Sequence, residues 1–476
     1  MIKIFATLFF IFLVIGLTFL LFGKRYAIFL LKSNILGKDK IFIFIFLTLT
    51  LFSLFQLSFG DKYGYYFFVN VNPSYKIAGD TQMDLYNSII DESGGKWGEK
   101  KIKSYPPLAA FPYQVLAKIL PYELVKNNRS LNRGKAITLR NAMPGAVIGI
   151  MNNLLFILPF VLICVFFIQG DKSRKILYTS LFSLSGAMIW VLERGNSVCY
   201  TFLFLLLFVI IYDNAETKTS KLFSYLCLAI SANLKIYPAC FGILLLYKKD
   251  YRGVLYTSFI TLSIYILFFF LCGYAPSEFG KNFINIFSVS DIYTSFLVNF
   301  NYSARNSLAL FNYLIVKTTG MFHLIDLHNF IFTAFTLFEF FVGIFIFCFS
   351  SSFWKKLMGP ALLCIVIPIM SWQYTLIFLF IPLLYFINDY DDSKINKFYA
   401  ALFAIIISFL IIPISASLKK QPLTANFVVQ NFGVQLLMFT LFLESLQNFW
   451  KQRALVKEKI LNEMHRIKAY KGVKND

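Results

Sequence analysis

Runs of about 20 predominantly apolar residues, the length a helix needs to cross a bilayer, recur in this chain at 2–22, 41–59, 146–168, 254–272, 328–349, 398–416 and 427–447. Each predicts a spanning helix. Shorter or interrupted runs lie between them at 176–193, 198–212, 222–247, 357–371 and 374–387, several broken by Pro238, Pro368 or Pro382. With 222–247 read as two short spans around Lys235, the expectation is about thirteen crossings, within a range of roughly eleven to fourteen. The fold class expected is an all-α polytopic membrane protein with a large first outer loop at 60–145.

Composition supports this reading. The 476 residues are 58% hydrophobic, 19% aromatic and only 14% charged, with a mean hydropathy of +0.67. A soluble protein carries about 25% charged residues, so disordered, collagenous and disulfide-stapled classes are excluded as well. The net charge of +21 would suggest nucleic acid in a soluble chain. Here it sorts by loop. Short cytoplasmic loops are rich in Lys and Arg, whereas loops much longer than about 60 residues are exempt. Lys24, Arg25, Lys32, Lys38 and Lys40 fill the first connection. Placing it inside also places inside Lys172/Arg174/Lys175, Lys248/Lys249/Arg252, Lys355/Lys356, Lys394/Lys397 and the basic tail after Trp450. Lys419/Lys420 is the exception. The segment 60–145 then lies outside, with anionic membrane lipid as the partner of the basic face and no nucleic acid expected.

The run at 2–22 reads as a retained helix rather than a signal peptide, since its basic lead is only Lys3 and no small-residue cleavage site follows. The organisation expected is an N-terminal helix and cytoplasmic loop at 1–40, a membrane core at 41–390, further spans at 391–447 and a basic cytoplasmic tail at 448–476. That tail reads either as an amphipathic helix on the lipid surface or as disordered chain. The seven cysteines, Cys164, Cys199, Cys227, Cys240, Cys272, Cys348 and Cys364, lie in or beside apolar spans without metal-ligand spacing and read as small hydrophobes. No internal repeat supports a transporter built from symmetric halves.

Candidate chemistry concentrates at the expected outer face. The stretch GDTQMDLYN at 79–87 sets Asp80 and Asp84 four residues apart, on one face if helical. YPPLAAFPY at 105–113 follows, and its three prolines predict an extended or turn conformation able to line a groove. Between them, DESGGKWGEKKIK at 91–103 has the composition of a surface loop. An acid beside such a strip suits a general base acting on a hydroxyl; capping a helix or facing water is the plainer alternative. Ionisable groups within spans are costly. Glu193 and Arg194 in LERGNS stand at the end of a span, where snorkelling to water would suffice. Lys235 in ANLKIYP needs an anion, either Glu193 or a ligand phosphate. PIMSWQY at 368–374 offers Trp372 and Tyr374, which also suit an interfacial aromatic belt. The polar loop 277–305, His323 and His328 share this face, and with three histidines in the chain a structural zinc site is not expected.

These residues, taken in order, resemble glycosyltransferase family 87, integral membrane enzymes of the GT-C fold that use polyprenyl-phosphate sugars. The matching positions are Asp84-Leu85-Tyr86-Asn87-Ser88, Tyr105-Pro106-Pro107-Leu108, Arg194-Gly195-Asn196, Lys235-Ile236-Tyr237-Pro238, and Pro368 with Ser371-Trp372-Gln373-Tyr374. The resemblance covers roughly residues 75–390. Two features depart from it. Gln373 and Tyr374 stand where many relatives carry histidine, and an added first span would turn the N-terminus outward.

The resemblance implies an inverting transfer of a sugar, commonly mannose, from a polyprenyl monophosphate to an acceptor hydroxyl on a glycolipid or glycan. The reaction would take place at the outer face of a bacterial inner membrane. A departing phosphate needs cations, which assigns Lys235 and Arg194, with Asn196, to the donor phosphate. Asp84 is the base implied, with Asp80 as neighbour or substitute. Tyr105, Pro106, Trp372, Gln373 and Tyr374 would form the substrate groove. The two carboxylates would alternatively hold a divalent metal ion, and no other cofactor is implied. A transporter or flippase of lipid-linked sugars, and a repeat-unit polysaccharide polymerase, are the competing readings.

Overall fold

A computed structural model describes residues 36–58, 82–93, 106–125, 138–287, 301–319, 329–409, 415–418 and 421–472 of the protein. The expectations for 2–22, Asp80, the loop from 94, Tyr105, His323, His328 and Lys419/Lys420 fall outside these residues. Helix α1 (Gly37–Ser58) precedes two helices of the long polar segment, α2 (Met83–Ser93) and α3 (Pro107–Ile119). Then come α4 (Met143–Phe167), α5 (Lys172–Ser183), α6 (Gly186–Arg194), α7 (Val198–Asp213), α8 (Lys218–Leu234) and α9 (Tyr251–Leu271). After a short helix, Phe279–Phe287, come α10 (Ala304–Thr319), α11 (Asn329–Phe349), α12 (Phe353–Val366), α13 (Phe380–Asn388), α14 (Lys394–Ile407) and α15 (Ala425–Gly472).

Among the described residues, four helices are long and apolar enough to cross a bilayer: Met143–Phe167, Tyr251–Leu271, Phe330–Phe349 and Ala425–Leu455. The pair α5 and α6, bent by 53°, makes a fifth if counted as one span. The outward faces of α4 and α9 are lined by exposed Ile150, Leu155, Phe166, Leu255 and Phe259. An apolar exterior of that extent suits lipid as solvent and not water. The other apolar runs form shorter helices, among them Val198–Asp213, Tyr237–Tyr247 and Gln373–Asn388.

The breaks at Lys235 and Pro368 occur where the prolines placed them. Helix α8 ends at Leu234, and a 3₁₀ turn, Tyr237–Gly242, resumes with Pro238 near its start. Residues 367–370 bend, and the 3₁₀ segment Gln373–Leu379 leads into α13. Broken backbone at this depth must find partners inside the protein. Asn301 supplies them: its Nδ2 donates to the Ile369 carbonyl at 3.0 Å, and its Oδ1 accepts from the Ser371 amide at 2.9 Å.

Two expectations are corrected, and of the two alternatives given for the basic tail the helix is the one observed. The proline-rich strip is not extended: from Pro107 it is helix α3, because Pro is preorganised for the first helical position and Pro112 forfeits only one backbone bond. The apolar run 398–416 is not one helix: α14 stops at Ile407, and Ser415–Leu418 pairs antiparallel with Gln421–Thr424. Ser408 caps α14 with ψ 155°, outside the helical region. The basic tail continues α15 as helix to Gly472.

The core centres on α12 and the segment 376–387, whose side chains are almost wholly buried. Lipid removes the hydrophobic drive between helices, so close fit must hold them together. Helices α11 and α12 meet at glycines: a Cβ on Gly359 would sit 2.4 Å from the Gly343 carbonyl.

The bundle has two chemically distinct ends. At one, the basic clusters meet acids. Asp39 pairs with Arg174 at 3.0 Å, Lys397 with Asp392 at 3.2 Å, Lys248 with Asp213 at 3.1 Å, and Lys355 with Glu444. Lys38 is fully buried and donates to the carbonyls of Phe386 and Asp389. These five cations have protein acids or carbonyls as partners. At the other end of α4, Gly145 accepts from the Tyr86 hydroxyl at 2.9 Å, and there the candidate site lies. The 25 residues of α4 separate the two ends by roughly 37 Å.

Candidate active site

Asp84 stands in the first turn of α2, where the helix dipole favours an anion. Asp80 lies outside the described residues, and helix α2 begins at Met83. The residue before it, Gln82, is left-handed at φ 58° and ties this corner to α6. Its amide donates to the Glu193 carbonyl, and its Nε2 donates to the Leu192 carbonyl at 2.6 Å and to Asn153 Oδ1 at 2.7 Å.

Opposite Asp84, α6 ends at Arg194, and Gly195 caps it in the left-handed region at φ 61°. This is the usual geometry of a glycine cap. A Cβ on Gly195 would lie 2.5 Å from Gln82 Oε1, so glycine is needed here for approach as well as conformation. The turn sends Arg194 and Asn196 to the same carboxylate. Arg194 Nη2 pairs with Asp84 Oδ1, and Asn196 Nδ2 donates to Asp84 Oδ2 at 2.9 Å. Asn196 is itself fixed, since its Oδ1 accepts from the Val198 amide at 3.0 Å at the start of α7. Its Nδ2 also lies 3.5 Å from the Tyr374 hydroxyl.

Arg194 and Asn196 thus converge on Asp84, and Tyr374 reaches Asn196 from a third motif. The cavity beside Asp84 has a volume of 200 Å³ and is lined by Asp84, Asn87, Ser88, Ala109, Tyr113 and Asn196, together with Asp91 and Glu92. Helix α3 supplies its opposite wall, so the proline-rich segment borders the site as a helix. Pro106 itself is buried as that helix's N-cap.

The remaining expected residues are placed differently. Arg194 is engaged by Asp84 and does not stand open to a phosphate. Lys235 is half-buried at the C-terminus of α8 and does not line this cavity. It is nonetheless at the same end. Ser231 Oγ donates to the Thr201 carbonyl at 2.8 Å across the antiparallel pair α7 and α8. One turn further along each helix from that bond come Lys235, which caps the end of α8, and Ser197, which precedes α7. Gln373 is buried, donating to Gln430 Oε1 at 3.0 Å in a network with Tyr302. Trp372 is half-buried against the main apolar core, and its backbone bridges Asn301. Neither Gln373 nor Trp372 lines the cavity; Tyr374 reaches the cluster through its hydroxyl alone.

Among the described residues, no group of three or more His, Cys, Asp or Glu is placed to hold a metal ion, and both Asp84 oxygens accept from Arg194 and Asn196. Gln82 was not foreseen, since a lone glutamine next to a loop acid carries no spacing signal. No protein-family model matches the chain, and comparison with curated proteins gives no match.

Proposed function

We propose that the protein is an integral membrane glycosyltransferase of the GT-C type, similar to family 87. In this reading it moves a hexose such as mannose from a polyprenyl-phosphate donor to a hydroxyl of a glycolipid or glycan acceptor. About thirteen crossings, counting the short helices as spans, put the Asp84 end on the outer side of a cell inner membrane and the paired basic end in the cytoplasm. The observation that carries the reading is the meeting of Arg194 and Asn196 on Asp84 beside a small cavity that Asp84 and Asn196 line, with the Tyr374 hydroxyl 3.5 Å from Asn196.

The chemistry follows from that arrangement. The donor's phosphate draws Arg194 away from Asp84, with Lys235 at the same end as the second cation. Asp84 Oδ1, released, accepts the hydrogen of the acceptor hydroxyl. The acceptor oxygen bonds to the anomeric carbon from the face opposite the phosphate, the carbon–oxygen bond to phosphate breaks, and the electron pair leaves on the phosphate. Asn196 holds Asp84 in place throughout. The guanidinium thus serves two anions in turn, first the carboxylate and then the leaving group.

Replacement of Asp84 by Asn tests this. Sugar transfer by the purified variant is expected to fall at least 100-fold, with binding of the polyprenyl-phosphate sugar retained. Full transfer by the variant would overturn the assignment. Undiminished movement of lipid-linked sugar across vesicles, without transfer by either protein, would support a flippase instead. Lys235→Ala is expected to weaken donor binding; unchanged affinity would leave Lys235 a structural residue.

A further inference from the structure

A second cavity, of 660 Å³, lies between α10, α11, α14 and α15 and shares no residue with the Asp84 site. Its walls are apolar and rich in rings, including Phe311, Phe335, Phe338, Phe432 and Phe439. One ionisable side chain lines it. Glu339, halfway along α11, is 2% exposed. The Gln435 amide is its polar neighbour. Among the described residues, no hydrogen bond within 3.5 Å reaches either carboxyl oxygen, nor the Gln435 Nε2. Among the described residues, no Lys, Arg or His belongs to the lining.

A carboxyl at this depth, without a cation, is a cost to the fold that an apolar residue of the same size would not impose. Intramembrane acids face cavities or partners because of that cost. The charge that complements this cavity is positive, and phenylalanine faces attract cations within about 6 Å of the ring. A phosphate-headed lipid is disfavoured, because the one ionisable group that lines the cavity among the described residues is itself acidic.

We propose that this cavity binds a lipophilic monocation, an apolar body carrying one positive charge, which enters from the lipid and takes Glu339 as its counter-ion. Binding of this kind is separate from sugar transfer. The glycosyltransferase reading neither requires it nor falls with it.

The test is equilibrium binding of radiolabelled tetraphenylphosphonium to the full chain in lipid nanodiscs. Saturable binding is expected, with triphenylphosphine oxide, an uncharged competitor carrying three of the same rings, at least tenfold weaker. Glu339→Gln is expected to lower affinity for the cation at least tenfold, and Phe335→Leu or Phe432→Leu to lower it less. The absence of saturable binding, equal competition by the neutral compound, or wild-type affinity in Glu339→Gln would each overturn the proposal. Should Glu339→Gln fail to fold, the preference of the wild-type protein for cation over neutral competitor decides the matter alone.

Discussion

At the scale of single residues, the Asp84–Arg194 pair poses the central question, because it can be read as a clasp or as chemistry. Both side chains are about four-fifths buried, 21% and 19% exposed, so the pair lies between an exposed one, worth about 0–1 kcal/mol, and a buried one, whose breakage costs about 3–5 kcal/mol. Arg194→Ala is therefore expected to lower the melting temperature measurably and to weaken donor binding severely. The exchanged double variant, Asp84→Arg with Arg194→Asp, separates the readings further: it restores an ion pair and leaves transfer lost, whereas recovered transfer would mean the pair is only a clasp. Gly195 is the residue on which the geometry turns. Gly195→Ala meets a left-handed backbone, unfavourable by roughly 1–2 kcal/mol for a residue with a Cβ, and also the Gln82 side chain. A measurable drop in melting temperature together with loss of transfer is expected, whereas Asn87→Ala in the same cavity should spare stability.

At the scale of elements, the spans and breaks that depend on composition and proline were legible. The long helices α4, α9, α11 and α15 occur where apolar runs placed them, and the interruptions at 235–238 and 367–372 follow Pro238 and Pro368. Helix α3 was not legible, since three prolines argue equally for an extended strip and for a helix with proline at its first position. Element packing rests on contacts that sequence spacing does not announce. Gly359→Val should force α11 and α12 apart at a cost of about 1–3 kcal/mol or more, read as a lowered midpoint in thermal unfolding. Asp39 and Arg174 join the start of α1 to the start of α5, with side chains 2% and 12% exposed. Removal of one partner of a buried pair costs about 3–5 kcal/mol. A double-mutant cycle is expected to return a coupling energy well above zero, and a value of zero would make the pair incidental.

At the scale of the whole molecule, the separation of a paired basic end from the end that holds Asp84 underlies the proposed sidedness and the expected pH response. Cysteines introduced at Ser88 and at Lys172 should label with impermeant reagents from opposite sides of intact and inverted vesicles; labelling from one side would contradict the proposed orientation. At the basic end, burial pushes the carboxyls of Asp250 and Asp392 up, but their hydrogen bonds outweigh it. Asp250 accepts from Tyr225, the Gly253 amide and Tyr212, and Asp392 from the Lys38 and Gly37 amides and from Lys397. Both are therefore held below the ordinary carboxylate value of about 3.9. A carboxyl depressed in the fold stabilises above its unfolded value, and that contribution is lost as pH falls through the folded one. The melting temperature should hold from neutrality to about pH 4 and decline below it, and Asp392→Asn should flatten that decline.

What the sequence determined by itself is local. Apolar runs of bilayer length impose helix, because a backbone in lipid must satisfy its own hydrogen bonds. Proline interrupts those runs, and costly polar residues single out Asp84, Arg194, Asn196 and Lys235 as candidates. The tertiary structure alone decided partnership. Arg194 meets Asp84 across 110 positions of chain, and Asn196 approaches Tyr374 across 178. Gln373 turns inward to Gln430 and not to a groove, while Gln82 holds the corner together. Which polar groups pair depends on where packed helices bring their ends together, and no spacing along a single chain encodes that juxtaposition.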